Sequence, residues 1–145
     1  SGKYQWENGG EPTTYVGSYE KDFLLNCDTV FNFESADIIA PSPNVYRYQY
    51  NGEDHFYIPD FYIPDLRLEV EIKDGGDNPN MHHKIQAVDK VKEKYKDDAL
   101  LKQRDNNYIK VVNKKYGDFL ALINKLRSDD LSPEERRNKI KIKPE

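Results

Sequence analysis

Three closely spaced strand patterns near the middle of the sequence constrain the fold more than any other feature. Aromatic and polar residues alternate over Tyr46–Tyr50, which is typical of a strand with one buried face. Asn51-Gly52 favours a tight turn, because both residues tolerate positive φ angles. A second strand is predicted over Phe56–Ile63 and a third over Leu68–Lys73, joined by a turn at Pro64–Arg67. Together they predict an antiparallel meander.

Helical patterns lie on both sides of this meander. The first helix is predicted from Tyr19 to about Cys27, with Ser18 as its N-cap. A longer helix is predicted from about Met81 to Lys96. Its expected apolar face consists of Met81, Ile85, Val88 and Tyr95. A fourth strand over Tyr108–Val112 would then pair in parallel with the third, because a crossover that contains a helix separates them.

A final helix and two less regular ends complete the expected organisation. The final helix is predicted from Gly117 or Asp118 to Arg127, with Phe119, Leu120, Ile123 and Leu126 facing inward. We expect an irregular arm over residues 1–16, one domain over 17–127, and a short helix with a loose tail over 128–145. The fold class predicted by this order is α+β, with a mixed central sheet flanked by helices.

Composition limits the class of protein. Hydrophobic residues make up 37% of the 145 and charged residues 33%, and eleven tyrosines and six phenylalanines supply much of the apolar volume. No apolar run approaches the length of a membrane span, about 18 residues. Cys27 is the only cysteine, which excludes an internal disulfide and a cysteine-based zinc site. We therefore expect a cytoplasmic setting, in a bacterium or a phage-infected host, and no membrane partner.

The net charge of −4 means that any basic surface must be local. The stretch Lys84–Lys96 contains five lysines interrupted by Asp89 and Glu93. A solvated helix face with alternating charges is the commoner interpretation of such a run. The run alone therefore does not predict a DNA-binding surface.

The third predicted strand carries the residues with the most chemical potential. Side chains alternate along a strand, so Glu69, Glu71 and Lys73 share the face opposite Leu68, Val70 and Ile72. Glu71 and Lys73 then lie about 6.5–7 Å apart along the strand. This spacing lets a carboxylate hold a cation while the ammonium reaches a neighbouring water or phosphate oxygen. An exposed strand face with alternating charges is the simpler alternative.

Asp60 favours the chemical interpretation. It ends an apolar strand, directly after Pro59, which cannot donate to the strand ladder and so predicts an edge or a distortion there. Asp65 follows Pro64 in the same way, but too few residues separate it from Glu71 for a strand and a turn. We therefore assign Asp65 to the turn and Asp60 to the site.

Glu20 is a second acid in an unexpected position. It precedes Phe23, Leu24 and Cys27 by three, four and seven residues, which places it on the buried stripe of the first helix. An acid there needs a partner, a shifted pKa or a metal ion. The alternative is that it complements the helix dipole from the first turn.

These residues resemble the PD-(D/E)xK nuclease superfamily. The resemblance is carried by Glu20 on a helix, Pro59-Asp60, a ten-residue interval and Glu71-Ile72-Lys73, and it covers about Gly17 to Leu126. The order helix, meander, helix, strand is similar to the αβββαβ core of that superfamily. The restriction, homing and phage-like endonucleases are the branches that it most resembles.

The resemblance implies a function and a set of roles. Asp60 and Glu71 would bind Mg²⁺, or Mn²⁺ in its place, with the Ile72 carbonyl and Glu20 as further ligands. Lys73 would orient or activate the attacking water. Lys84 or Gln86 on the following helix would assist, and Lys90 would contact DNA.

The expected activity is Mg²⁺-dependent endonucleolytic cleavage of DNA that leaves 5′-phosphate and 3′-hydroxyl ends. DNA is the expected partner, with the chain acting either as a homodimer or as part of a longer multidomain protein. The alternative is a catalytically inactive nucleic-acid-binding or protein-interaction module on the same fold.

Overall fold

The central sheet is built around the strand predicted over Leu68–Lys73. In the computed structural model, which describes residues 1–75, 87–103 and 105–129, the chain has a mixed α+β fold. The described strands are β1 (Gly2–Tyr4), β2 (Thr13–Tyr15), β3 (Tyr46–Tyr50), β4 (Glu53–Tyr57), β5 (Phe61–Ile63), β6 (Leu68–Lys73) and β7 (Asn107–Val112). The described helices are α1 (Gly17–Thr29), α2 (Ala87–Gln103) and α3 (Gly117–Asp129). Short 3₁₀ turns lie at Ser35–Asp37 and Pro64–Leu66.

Strand β6 is the middle strand of a three-stranded sheet with the order β5-β6-β7. It pairs antiparallel with β5, with Phe61 opposite Val70. It pairs in parallel with β7, with Glu71 opposite Lys110, so the predicted parallel pairing is confirmed. Helix α1 packs on β6. The first four residues of β6 are all buried, which shows that both faces of the strand are covered.

The predicted meander is divided into two sheets. Strands β3 and β4 form a separate antiparallel hairpin, whose turn residues Asn51 and Gly52 have the expected positive φ angles of 53° and 75°. The continuous second strand predicted over Phe56–Ile63 is wrong, because the chain leaves the ladder between β4 and β5. Pro59 lies in this break, has no N–H to donate, and accepts a hydrogen bond from the Ser42 N–H at 3.0 Å instead.

The first sixteen residues are more ordered than the irregular arm that the sequence predicts. Strands β1 and β2 pair antiparallel, with Lys3 opposite Thr14. Trp6 lies between the two strands in the sequence and is buried. Its Nε1–H donates a hydrogen bond to the Thr13 hydroxyl at 2.8 Å. The Tyr4 hydroxyl donates to Asp28 on α1 at 2.7 Å. These strands are only three residues long, too short for an alternating pattern to identify them.

Helix α1 begins earlier than expected. Its N-cap is Val16 rather than Ser18, and no side chain caps it in the usual way. The Glu20 carboxylate accepts a hydrogen bond from the Val16 N–H at 3.1 Å, which satisfies the donor at the helix entrance. Phe23, Leu24 and Cys27 form the buried stripe, as predicted.

Helix α2 differs from the prediction in extent and in the face that it buries. Its predicted start at Met81 lies outside the described residues, and its end at Gln103 is seven residues beyond the predicted Lys96. Tyr95, assigned to the apolar face, is 54% exposed, whereas Lys96 and Leu100 are buried. The helix packs against β3. Its buried side is partly polar because charged side chains of β6 and β7 point toward it.

The chain divides into two compact units, Ser1–Lys115 and Tyr116–Glu145. In the second unit, α3 confirms the predicted final helix. Phe119 and Ile123 are buried, but Leu120 is 37% exposed rather than inward. The short helix and tail predicted over 128–145 lie almost wholly outside the described residues. Among the described helices, none combines the length and the apolar character needed to cross a membrane.

Candidate functional site

The candidate site lies where β5 and β6 begin to separate. Phe61 pairs with Val70, so the next position in the antiparallel register brings Asp60 opposite Glu71. Residues opposite each other in such a pair project from the same face of the sheet. The Asp60 carboxylate accepts a hydrogen bond from the Ile72 N–H at 2.8 Å. The two acids are therefore neighbours, and the backbone of β6 fixes the orientation of Asp60.

Burial and the neighbouring acid change the acidity of Asp60. Burial first, and then the charge and hydrogen bond of the Glu71 carboxylate, raise its pKa to about 8, although the Ile72 N–H bond acts in the opposite direction. Asp60 is thus largely protonated at neutral pH when no cation is bound. A cation placed between Asp60 and Glu71 would favour the ionised form of both carboxylates.

Glu71 is the centre of an ion-pair network that the sequence did not predict. It is only 4% exposed, and its Oε2 lies 2.6 Å from the Lys96 Nζ on α2. Lys96 is 6% exposed and is also 2.6 Å from Glu93 Oε1. Lys110 on β7 joins the network, with its Nζ 2.8 Å from Glu93 and 2.7 Å from Asp97. A continuous series of ion pairs therefore connects β6, α2 and β7.

The network keeps its members charged. Burial alone would lower the pKa of Lys96, but the charges and hydrogen bonds of Glu71 and Glu93 outweigh burial and raise it. Burial alone would raise the pKa of Glu93, but hydrogen bonds from Lys110 and Lys96 lower it to about 2. Lys96 is therefore an ammonium held against Glu71, and the solvated-face interpretation of the lysine run is wrong at this position.

Glu20 reaches the same group of acids from α1. Burial raises its pKa, and so does the charge of Glu71, while bonds from the Val16 N–H and Asp60 act in the opposite direction. Glu20 therefore lies close to both strand carboxylates. It also accepts the Val16 N–H at the helix entrance, and its role as a metal ligand stays a prediction.

Lys73 lies at the open side of the site. Its Nζ is 4.0 Å from Glu71 and 3.6 Å from Glu93, and its side chain is 42% exposed. It shares the face of Glu71, as strand alternation predicts. Ile72 takes part through its N–H, which donates to Asp60. An exposed ammonium beside a buried carboxylate is suited to contact an incoming anion.

The remaining predicted residues are on α2 or before it. Lys90 is exposed in the first described part of α2. Lys84 and Gln86 lie outside the described residues. The helix residue that reaches Glu71 is Lys96, which follows Lys84 by twelve positions.

Two tyrosines form the apolar side of the site. The Lys96 Nζ lies 4.1 Å from the centroid of the Tyr57 ring, which is a close cation–π contact. Burial, and then the charge of Glu71, raise the pKa of Tyr57 and of Tyr108 well above the usual range. The buried Tyr57 hydroxyl lies beside the Glu71 carboxylate and the Tyr108 hydroxyl and interacts with both.

Glu69 shares the face of Glu71 but belongs to a separate group. It is fully buried and accepts hydrogen bonds from Ser42 and Tyr46 at 2.5 Å and from Asn44 at 3.0 Å. These bonds satisfy the carboxylate and fasten the loop before β3 to the sheet. The exposed strand face, which was the simpler alternative for this strand, is therefore wrong for Glu69. The burial of Glu69 could not be predicted from the sequence, because hydrophobic periodicity does not show which strand face a loop will cover.

A divalent ion such as Mg²⁺ needs several oxygen ligands around it. Asp60 and Glu71 offer the hard carboxylate oxygens that Mg²⁺ prefers. In the part of the chain that the structure describes, no group of three or more His, Cys, Asp or Glu side chains is arranged to hold a metal ion. The closest cation to Glu71 is the Lys96 ammonium. The two acids therefore fit the ligand chemistry of Mg²⁺, and Lys96 competes for one of them.

No family model, curated protein or solved structure matches the chain.

Proposed function

We propose that the chain is a Mg²⁺-dependent DNA endonuclease of the PD-(D/E)xK type. The observation that carries the proposal is the closeness of the Asp60 and Glu71 side chains, with the Asp60 carboxylate held by the Ile72 N–H. Two neighbouring carboxylates with a lysine on the same strand face are the chemical requirement for this reaction. The reaction would hydrolyse a phosphodiester bond and leave 5′-phosphate and 3′-hydroxyl ends.

The arrangement of elements supports the same proposal. Helix α1, the strands β3 to β6, helix α2 and strand β7 follow one another in the order of an αβββαβ core. In this interpretation β4 and β5, separated at Pro59 and lying in different sheets, together take the place of the second core strand. The parallel pairing of β6 with β7 supports the interpretation.

Each residue has a distinct proposed role. Asp60 and Glu71 would hold the Mg²⁺ ion, with the Ile72 carbonyl as a further oxygen ligand; Glu20, which accepts the Val16 N–H, would have to move to join them. The ion supplies Lewis-acid stabilisation of the charge that develops on the phosphate. Lys73, with its exposed ammonium, would contact a phosphate oxygen and orient the attacking water. Lys96 would take the assisting role expected of Lys84 or Gln86.

A cleavage assay with a matched control tests the proposal. Supercoiled DNA is incubated with Mg²⁺ or Mn²⁺ and with the wild type, Asp60→Asn, Glu71→Gln, Lys73→Ala or Asp65→Asn. Loss of an electrostatic contact to the reacting phosphate lowers rates by about 10²–10³-fold, so the first three variants should lose cleavage. Asp65→Asn should remain active, because Asp65 is exposed in the turn before β6.

Ion binding gives a second readout that does not depend on turnover. Mg²⁺ should raise the melting temperature of the wild type and of Asp65→Asn, but not that of Asp60→Asn, because an ion that binds only the folded state stabilises it. Cleavage that survives in Asp60→Asn and Glu71→Gln would exclude this site.

The second candidate function is a non-catalytic binding module. It is favoured by the 2.6 Å ion pair between Glu71 and Lys96, which satisfies the buried carboxylate without a metal ion. This candidate predicts DNA binding without cleavage in either Mg²⁺ or Mn²⁺. It also predicts no change of melting temperature when either ion is added.

A further inference from the structure

An open groove lies between the β3–β4 hairpin and α2, on a part of the helix that the candidate site does not use. The groove has a volume of about 620 Å³, and an adjoining hollow along α2 has a volume of about 550 Å³. Tyr95 and Asp98 line both parts. The hydrogen bonds between the Gln103 side chain and the Arg47 backbone close one end. The helix and the hairpin are therefore the two sides of the groove, and these hydrogen bonds join them at one end.

Aromatic rings face this groove at several points. Tyr95 is 54% exposed and lies 5.5 Å from Tyr50, measured between ring centroids. The rings of Tyr48 and His55 stack at 5.2 Å with an angle of 21° between their planes. Phe56, 61% exposed beneath the Arg47 guanidinium, projects from the opposite face of the hairpin to Tyr48 and His55. Exposed, supported rings of this kind are stacking surfaces for flat ligands.

Cations outnumber anions along the same groove. Its lining contains Arg47, Lys90, Lys94 and Lys102 against the two carboxylates of Asp54 and Asp98. The Asp54 carboxylate is already engaged by the Gln49 side chain at 3.0 Å. The chain as a whole carries a net charge of −4, so this excess of positive charge is local. It fits a ligand that alternates flat apolar groups with negative charges.

We infer that the groove binds an unpaired segment of a DNA strand. Bases would stack on Tyr95 and on the Tyr48–His55 pair, and phosphates would contact the lysines of α2. The choice of DNA rests on the proposed function, and the groove makes the substrate class more specific: DNA with a single-stranded segment, rather than a continuous duplex. A duplex conceals the base faces that the rings would contact.

Binding is measured without metal, so that cleavage does not interfere. The probe is a fluorescein-labelled thymidine oligonucleotide of about 12 nucleotides, within the length that a small single-strand site covers. Fluorescence anisotropy in EDTA compares the wild type with Tyr95→Ala and Tyr95→Phe. Stacking on one ring is worth about tenfold in affinity. We expect Tyr95→Ala to lose about that factor and Tyr95→Phe, which keeps the ring, to bind as the wild type does.

An abasic oligonucleotide of the same length separates stacking from charge. It keeps the phosphates but offers no base to any ring, so the wild type should bind it more than about tenfold more weakly, and Tyr95→Ala should not change its affinity. Lys102→Ala should weaken both probes and reduce the salt slope of binding by about 0.7. Lys3→Ala, an exposed lysine on β1, is the matched control and should change neither.

The possible outcomes distinguish this inference from the proposed function. Equal binding of the normal and abasic probes, or equal affinity of Tyr95→Ala and the wild type, overturns the groove as a stacking site. DNA cleavage by a protein that gives either result leaves the proposed function standing. Groove-dependent binding by a protein that never cleaves DNA overturns the proposed function and keeps the inference.

Discussion

The buried Glu71 carboxylate can be paired by either of two cations, the Lys96 ammonium or a divalent metal ion. It is nearly inaccessible, yet Lys96 and Lys73 approach it from different elements and Asp60 lies beside it. A buried charge is tolerated only when it is paired. In the absence of a divalent ion, Lys96 performs that task. A divalent ion bound by Glu71 and Asp60 would have to replace part of this contact.

The first residue-scale prediction concerns Lys96. Lys96→Met removes the closest cation from Glu71 and should lower the free energy of unfolding by about 3 kcal/mol, since breaking a buried ion pair leaves a charge unpaired. Urea unfolding in EDTA measures the effect. Adding Glu71→Gln to Lys96→Met should recover much of the loss, because the group that Lys96 neutralises is then itself uncharged.

The control for this prediction lies two residues earlier on the same helix. Lys94→Met changes an exposed lysine and should alter stability by no more than about 0.5 kcal/mol. Equal stability of Lys96→Met and Lys94→Met would show that the ion pair with Glu71 contributes nothing.

At the residue scale, some parts of the site could be predicted from sequence and others could not. The pairing of Asp60 with Glu71 follows from strand spacing and the position of Pro59. Lys96 could not be predicted, because a lysine among alternating charges on a helix usually faces solvent. Its burial depends on Glu71 and Tyr57, which the chain brings to it from distant positions.

At the scale of elements, the strands were easier to predict than their connections. The bounds of β3 and β6 agree with the prediction, because alternation and apolar content mark them clearly. The break between β4 and β5 was missed, although Pro59 indicated a distortion there. A local pattern shows that a strand is weakened at a proline, but the division into two sheets depends on tertiary pairing.

The element-scale prediction compares two glycines at the ends of strands. Gly75 follows β6 with φ +65°, and a Cβ there would lie 2.4 Å from Val112 Cγ1 on β7. Gly52 in the β3–β4 turn has φ +75° and open space around it. Gly52→Ala should cost about 1 kcal/mol from backbone strain alone. Gly75→Ala should cost about 1–3 kcal/mol more, because the added methyl group also meets Val112.

Chemical unfolding of the two glycine variants measures this difference. Gly52→Ala is the matched control, since it carries the same strain without the steric contact. A smaller loss for Gly75→Ala than for Gly52→Ala would contradict the close approach of β6 and β7 at this point.

At the scale of the whole molecule, Asp60 connects the site to the pH dependence of folding. Its pKa is about 8 in the folded protein against an ordinary value of 3.8, so the folded state holds its proton more tightly. The stabilising contribution is complete below about pH 4 and is lost as the pH rises through about 8. In EDTA, the wild type should therefore lose about 1–2 kcal/mol relative to Asp60→Asn between pH 6 and pH 9.

Two comparisons keep that result specific to Asp60. Asparagine retains an oxygen that can accept the Ile72 N–H but carries no titrating proton, so Asp60→Asn should lack this part of the pH dependence. Asp65→Asn should behave as the wild type does. Parallel pH profiles for the wild type and Asp60→Asn would show that the Asp60 carboxyl titrates normally.

Helix α2 presents Lys96 to the carboxylates and Tyr95, its neighbour in sequence, to the groove. Both surfaces therefore share one cooperative unit of local unfolding. If the turn around these residues opens, the counterion of Glu71 and a wall of the groove are lost in the same event. Amide hydrogen exchange in this turn would report on both surfaces, and a ligand that slows exchange from one side would also order the other.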